Sequence, residues 1–268
     1  MAHWRDEVAV DSSMDEDRTD VDGAGWASPS LRASLAAAYE LKFALTEPQA
    51  AVVEALLGRG LELDPHADPA LGGAYAVGSV YCDTAAWSVF YREGRLRTRK
   101  YRVRRYGNSG TVYLERKTVN ARRVRKRRVA VEASAVEALL ASRSGETEWF
   151  ARQVAGRGLV PVCRVRYLRR AMFGVTPEGP VRVTFDRGVR GAAVRGWSFE
   201  PGGDEVELLR GVVVCEFKFA GVMPLLLKRV AAEAGLLASS ASKYRACVRA
   251  LGLVDGSAAV AESEVRDA

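Results

Sequence analysis

Charged residues two positions apart, or four in one case, recur along the chain: Glu40 with Lys42, Arg102 with Arg104, Glu115 with Lys117, Lys126 with Arg128, Arg164 with Arg166, Glu216 with Lys218, and, four apart, Arg182 with Asp186. Side chains at i and i+2 share one face of a β-strand. Each pair therefore predicts a charged strand face, with Leu41, Val103, Val165, Val183 and Phe217 on the opposite faces. Arg116 and Arg127 break the alternation. Cations gathered this densely repel one another unless an anion compensates them. Planar arginine forks match phosphate oxygens, and a carboxylate beside bound phosphate suits a hard divalent cation. The chemistry predicted is the binding of a polyphosphate or a nucleoside triphosphate.

Those faces must be positioned by strands and helices. The alternation predicts a strand over 39–43, then a helix to about 57 with Thr46 as N-cap and Pro48 in its first turn. A strand over 75–81 and a short helix over 85–92 follow. Residues 95–128 read as antiparallel strands joined by a Gly-Asn-Ser-Gly turn at 107–110. Helices are predicted over 134–142 and 146–156, strands over 160–173, 180–187, 192–199 and 206–219, and closing helices over 222–235 and 240–251. Strands without regular βαβ alternation give an α+β class built on an antiparallel sheet. Apolar faces must pack on helices, so the charged faces point elsewhere, and a closed barrel with a wet interior accommodates both. For any single pair a solvated strand face is the competing reading; seven pairs together favour the tunnel.

The 268 residues carry a net charge of +7, unevenly distributed. Residues 1–30 hold eight acids and two bases, a net of −6, which leaves +13 on the rest. That balance predicts a polyanionic partner for the folded part. Residues 1–33 read as a disordered acidic tail, with an acidic mimic competing for the basic site as the alternative; 34–252 read as one domain and 253–268 as a second disordered tail. Cys82, Cys163, Cys215 and Cys247 show no CxxC spacing, which argues against a zinc site or a disulfide framework. His3 and His66 leave little room for histidine-based catalysis. No apolar run approaches the roughly 18 residues of a membrane span, so a cytoplasmic protein is expected. No helix-turn-helix, zinc-finger or RNA-recognition signature points to specific nucleic-acid binding. Protein partners are not legible.

Glu40-Leu41-Lys42-Phe43, Ser79-Val80-Tyr81-Cys82-Asp83-Thr84, Arg102 to Gly107, Glu115-Arg116-Lys117, Glu216-Phe217-Lys218 and Ser242-Lys243-Tyr244 together resemble the VTC domain, the polyphosphate polymerase domain among the triphosphate tunnel metalloenzymes. The resemblance covers about residues 38–252. It implies an antiparallel eight-stranded β-barrel tunnel with helices outside, in which ATP donates its γ-phosphate to a growing polyphosphate chain with Mn²⁺ or Mg²⁺ as cofactor. Carried over by position, Lys42, Arg102, Arg104, Lys117, Arg164 and Arg182 would bind the triphosphate. Lys126, Arg128, Arg166, Lys218 and Lys243 would contact the polymer or phosphate. Glu216 would be the principal metal ligand, with Glu115 and Glu40 as helpers in a second layer or bound to neighbouring cations. The sequence departs from the pattern at Ala38, where the family often has a basic residue and related triphosphatases a second glutamate. A tunnel triphosphatase and a non-catalytic polyphosphate binder are the rival expectations.

Overall fold

The computed structural model describes residues 38–120, 123–200 and 205–254; the acidic segment and most of the C-terminal tail lie outside them. Ten strands form one antiparallel sheet: β1 (Tyr39–Leu45), β2 (Glu62–Leu63), β3 (Ala74–Asp83), β4 (Arg99–Tyr106), β5 (Thr111–Asn120), β6 (Arg123–Glu132), β7 (Val160–Thr176), β8 (Gly179–Ala193), β9 (Val206–Glu207) and β10 (Val213–Phe219). Eight of them run β7-β3-β4-β5-β6-β1-β10-β8, and β8 pairs back onto β7 to close a ring. Strands β2 and β9 extend its margins. The predicted barrel is present.

Five α-helices occur among the described residues: α1 (Glu47–Leu57), α2 (Val136–Ser142), α3 (Glu148–Ala155), α4 (Leu225–Glu233) and α5 (Lys243–Ala250). Helix α1 begins as predicted, with a Thr46–Gln49 capping box and proline in the first turn. Its buried Ala50, Val53 and Leu57 join Leu227 and Val230 of α4 against Phe43, Phe185 and Phe217, on the outer faces of β1, β8 and β10. On the opposite wall Phe150 and Val154 of α3 share a core with Tyr101, Val103 and Leu114, and the Tyr101 hydroxyl donates to Gln153. These outer apolar faces turn the charged faces inward.

Helix α5 differs from the others because it plugs one end of the barrel. Tyr244 and Cys247 are fully buried, the Tyr244 hydroxyl bonds Asp83, and Cys247 Sγ lies 3.8 Å from the Arg164 carbonyl. Gly191 of β8 makes room for it: a Cβ there would overlap Cys247 Sγ and stand 2.9 Å from Leu208 Cδ1. Gly191→Ala is expected to cost about 1–3 kcal/mol by overpacking, measured by denaturant unfolding.

Three predicted elements differ. Residues 85–92 form turns rather than a helix, because the Asp83 carboxylate accepts from the backbone N–H groups of Thr84, Val89 and Phe90 and wraps the segment around itself. The strands expected at 180–187 and 192–199 are one strand to Ala193, bent where two residues of β8 oppose one of β7 and Gly188 takes φ 57°. The long strand expected at 206–219 is interrupted by a turn with Leu209 at φ 53° and Gly211 at φ 68°.

Candidate functional site

The cross-strand register places the charged residues of most strands side by side around the interior. Tyr81 faces Arg102, Ser79 faces Arg104, Arg102 faces Glu115, Glu115 faces Arg128 and Lys117 faces Lys126. On the other side Lys42 faces Glu216 and Glu40 faces Lys218, while Glu216 faces Thr184 and Lys218 faces Arg182. Asp186 faces Arg169 and completes the circuit.

Four groups form within it. In the first, Lys42 Nζ lies 3.4 Å from Glu40 and 3.9 Å from Glu216, which brings the two carboxylates to one ammonium, and Lys117 Nζ is 2.5 Å from Glu40. Burial pushes the Glu40 carboxyl up, but Lys117 and Lys42 outweigh it and hold the group well below the usual carboxylate range. In the second, Glu115 is fully buried, gripped by Arg102 at 2.6 Å with Lys126 at 3.5 Å and Arg128 at 4.0 Å. In the third, Asp186 binds Arg169 at 2.6 and 2.8 Å and Lys243 at 2.6 Å, so the plug helix reaches the interior through its first residue. In the fourth, Arg182 bonds Asp64 and the Tyr75 hydroxyl, both at 3.0 Å.

Three interior cations form no ion pair among the described residues. Arg104 is buried, and its hydrogen bonds go to neutral groups, Ser79 Oγ at 3.0 Å and the Tyr167 hydroxyl at 3.1 Å. Lys100 donates to Ser242 Oγ at 2.9 Å; burial, then Lys42 and Lys117, push its ammonium well below the usual lysine range. Lys218 is pulled down to about 8 by burial and by neighbouring Lys126 and Arg182.

Asp186 makes the third group acid-sensitive. Burial raises its carboxyl, but Arg169 and Lys243 prevail and hold it at about 2, against an ordinary 3.8. A depressed carboxylate stabilises the fold fully above the unfolded value and loses that contribution as pH falls through the folded one. On the order of 2 kcal/mol is therefore expected to vanish between about pH 4 and pH 2. Asp186→Asn should flatten this part of the stability profile, measured by denaturant unfolding across pH.

Lys42, Lys117, Arg102, Arg104, Lys126, Arg128, Arg182, Lys218, Lys243, Glu40, Glu115 and Glu216 all lie on the interior side. Arg164 and Arg166 do not, which corrects the expectation for that strand. They lie on the outer face of β7 and bind Glu205, Arg164 at 3.2 Å and Arg166 at 2.5 Å; Arg164 also bonds the Glu200 carbonyl. Tyr167 and Arg169, on the other face of the same strand, supply the interior groups there. Of the two places expected for Glu115, a second layer around a metal or neighbouring cations, the geometry shows the cations: Arg102, Lys126 and Arg128 surround its carboxylate.

The fit of a divalent cation can be tested on the residues present. Among the described residues no group of three or more His, Cys, Asp and Glu is assembled, so the protein offers at most the Glu40–Glu216 pair here. One or two carboxylates completed by phosphate oxygens and water is the arrangement Mg²⁺ favours. The buried Thr184 hydroxyl, across the ladder from Glu216, has no hydrogen-bond partner and adds an oxygen to this corner. The residues fit such an ion.

Arg169, Tyr167 and Lys100 were not identified from sequence as site residues. The Lys100 signal was available, since it shares parity with Arg102 and Arg104. Among the described residues no helix is long and apolar enough to cross a membrane. A comparison with curated proteins finds no match. Among solved structures the chain is similar to a candidate adenylate cyclase from Bacillus halodurans, at 12% identity and TM-score 0.47, covering 77% of this chain and 94% of that one. It is also similar to HpAC1 from Hippeastrum, described as having a dominant triphosphatase activity, at 14% identity and TM-score 0.45, covering 80% and 96%. The PH1819 protein of Pyrococcus horikoshii matches at 13% identity and TM-score 0.42, covering 80% and 99%. The VTC domain family matches residues 37–252, the whole barrel from β1 to the plug helix, and this chain belongs to that family.

Proposed function

We propose that the chain is a metal-dependent polyphosphate polymerase that transfers the γ-phosphate of ATP to the end of a polyphosphate chain inside the barrel. The observation that supports this most is the surplus of enclosed cations: Arg104, Lys100 and Lys218 make no salt bridge with any described carboxylate, and a triphosphate supplies the missing negative charge. Arg104, Arg169 and Arg182 grip phosphate oxygens from three strands, while Lys42 and Lys117 neutralise charge beside Glu40 and Glu216. A divalent ion on those two carboxylates would polarise phosphoryl oxygens and offset their charge. In the transfer, a terminal oxygen of the polymer forms a bond to the γ-phosphorus, the bond from that phosphorus to the β,γ-bridging oxygen breaks, and ADP leaves with the electron pair. An ionised phosphate acceptor needs no general base, so alignment and charge neutralisation suffice.

The same grip serves a triphosphatase if water replaces the polymer end. Water must lose a proton in attacking phosphorus whereas an ionised phosphate end need not, which favours transfer to phosphate over hydrolysis. Incubation with ATP and Mn²⁺ is expected to yield acid-labile polymer and ADP. Free phosphate without polymer would establish the hydrolase instead, and no turnover of any triphosphate would leave a binder.

A further inference from the structure

Strand β6 is cationic on both faces. Lys126 and Arg128 face the interior, while Arg123, Arg125 and Arg127 face outward beside Arg116 of β5. The guanidinium groups of Arg116 and Arg127 lie over the Trp149 ring, at 5.8 and 4.7 Å. Arg123 and Arg125 are exposed, no ion pair between described residues uses either of them, and no acidic residue lies on the outer faces of β5 and β6. The outer ladder is separated from the interior by the strand itself, so a triphosphate held inside does not neutralise it.

The edge of this strand is also open. β6 pairs with β5 along its whole length but with β1 only at Tyr39 opposite Arg123; Val124 N–H donates to the Ala38 carbonyl at 3.0 Å. The chain preceding Ala38 is thus delivered to the margin of the arginine ladder. Upstream it carries Asp6, Glu7, Asp11, Asp15, Glu16, Asp17, Asp20 and Asp22. The sixteen residues from Asp22 to Ala38 reach up to about 50 Å, against roughly 33 Å for a ten-residue strand. Tethering holds the acidic segment near the ladder at about millimolar effective concentration.

We propose that the acidic segment around residues 6–22 docks on the outer face of β6, on Arg123 and Arg125 with their neighbours Arg116 and Arg127. A polyanion approaching this wall must displace it, whatever reaction the interior performs. All four native cysteines are buried, so a spin label attached through Ser12→Cys reports on the full chain selectively. At low salt the label is expected to broaden the amide resonances of residues 123–127 in nuclear magnetic resonance spectra. The broadening should disappear in about 0.5 M salt, where the Debye length falls below about 5 Å, and in Arg123→Glu/Arg125→Glu or Asp15→Asn/Glu16→Gln/Asp17→Asn variants. No broadening of β6 at low salt would overturn the proposal. So would broadening that appears in an unlabelled, isotope-enriched chain mixed with a labelled one and scales with concentration, which would assign the ladder to a second copy.

Discussion

Replacing Glu216 with glutamine is expected to reduce turnover of ATP at least about 10³-fold, the scale of several kcal/mol of lost transition-state stabilisation, while the unfolding free energy changes by less than about 1 kcal/mol. The carboxylate is the less committed of the Glu40–Glu216 pair, since its one described ion pair is Lys42 at 3.9 Å, whereas Glu40 also holds Lys117 at 2.5 Å. Its loss removes charge from the corner best suited to a metal and leaves the packing intact. Glu115→Gln makes the instructive contrast. There the fully buried carboxylate holds Arg102 at 2.6 Å, and breaking a buried pair from one side costs about 3–5 kcal/mol. Steady-state kinetics with denaturant titrations of both variants checks this: Glu216 should act on rate and Glu115 on stability. Equal loss of stability in the two would remove Glu216 from its assigned role.

The second large effect separates the two faces of β7. Arg169→Ala is expected to weaken binding of inorganic triphosphate by at least about 30-fold, close to 2 kcal/mol, the range of hydrogen bonds to charged groups. It should also destabilise the fold by about 3 kcal/mol, because Asp186 then keeps only Lys243. Arg169→Lys restores the charge without the fork and separates the effects by recovering stability more fully than affinity. Arg166→Ala should leave affinity within about twofold and stability within about 1 kcal/mol, since its half-exposed side chain forms an outer-surface pair with Glu205. Calorimetric titration with triphosphate distinguishes them. A large affinity loss in Arg166→Ala would contradict the assignment of faces.

That pair of arginines also shows where sequence reasoning stops. On β1, β4 and β10 the alternation is unambiguous, because Leu41, Val103 and Phe217 supply an apolar face that has to pack against helices or neighbouring strands. The remaining face must then be the interior one. On β7 the plug helix reverses the logic. Cys163 and Val165 face inward because Tyr244 and Cys247 of α5 fill that end of the barrel, and Arg164 and Arg166 are tolerated outside because Glu200 and Glu205 fold over them. Both contacts join residues far apart in sequence and leave no local period. Strand β6 carries arginine on both faces, so its alternation is silent about direction. The buried Asp83 acts similarly on secondary structure: one carboxylate gathers three backbone N–H groups and replaces a predicted helix by turns. Gly188 reads as a strand end in sequence, yet it marks a bulge within a single strand.

The Glu40–Glu216 corner is legible as a pair of carboxylates, but their mutual approach across the β1–β10 ladder is not. Neither is the role of Glu115, whose Glu-x-Lys spacing matches that of Glu40 although its surroundings are entirely cationic. Residue type and spacing state which groups can do chemistry; neighbours from other strands decide which are already neutralised.

The most direct measurement is a crystal structure of the protein with a non-hydrolysable ATP analogue and Mn²⁺. Its phosphates are expected within hydrogen-bonding distance of Arg104, Arg169 and Arg182, with the metal on Glu216. Phosphates bound instead to Arg164 and Arg166 on the outer wall, or an interior left without the analogue at saturating concentration, would contradict a basic interior built to hold triphosphate.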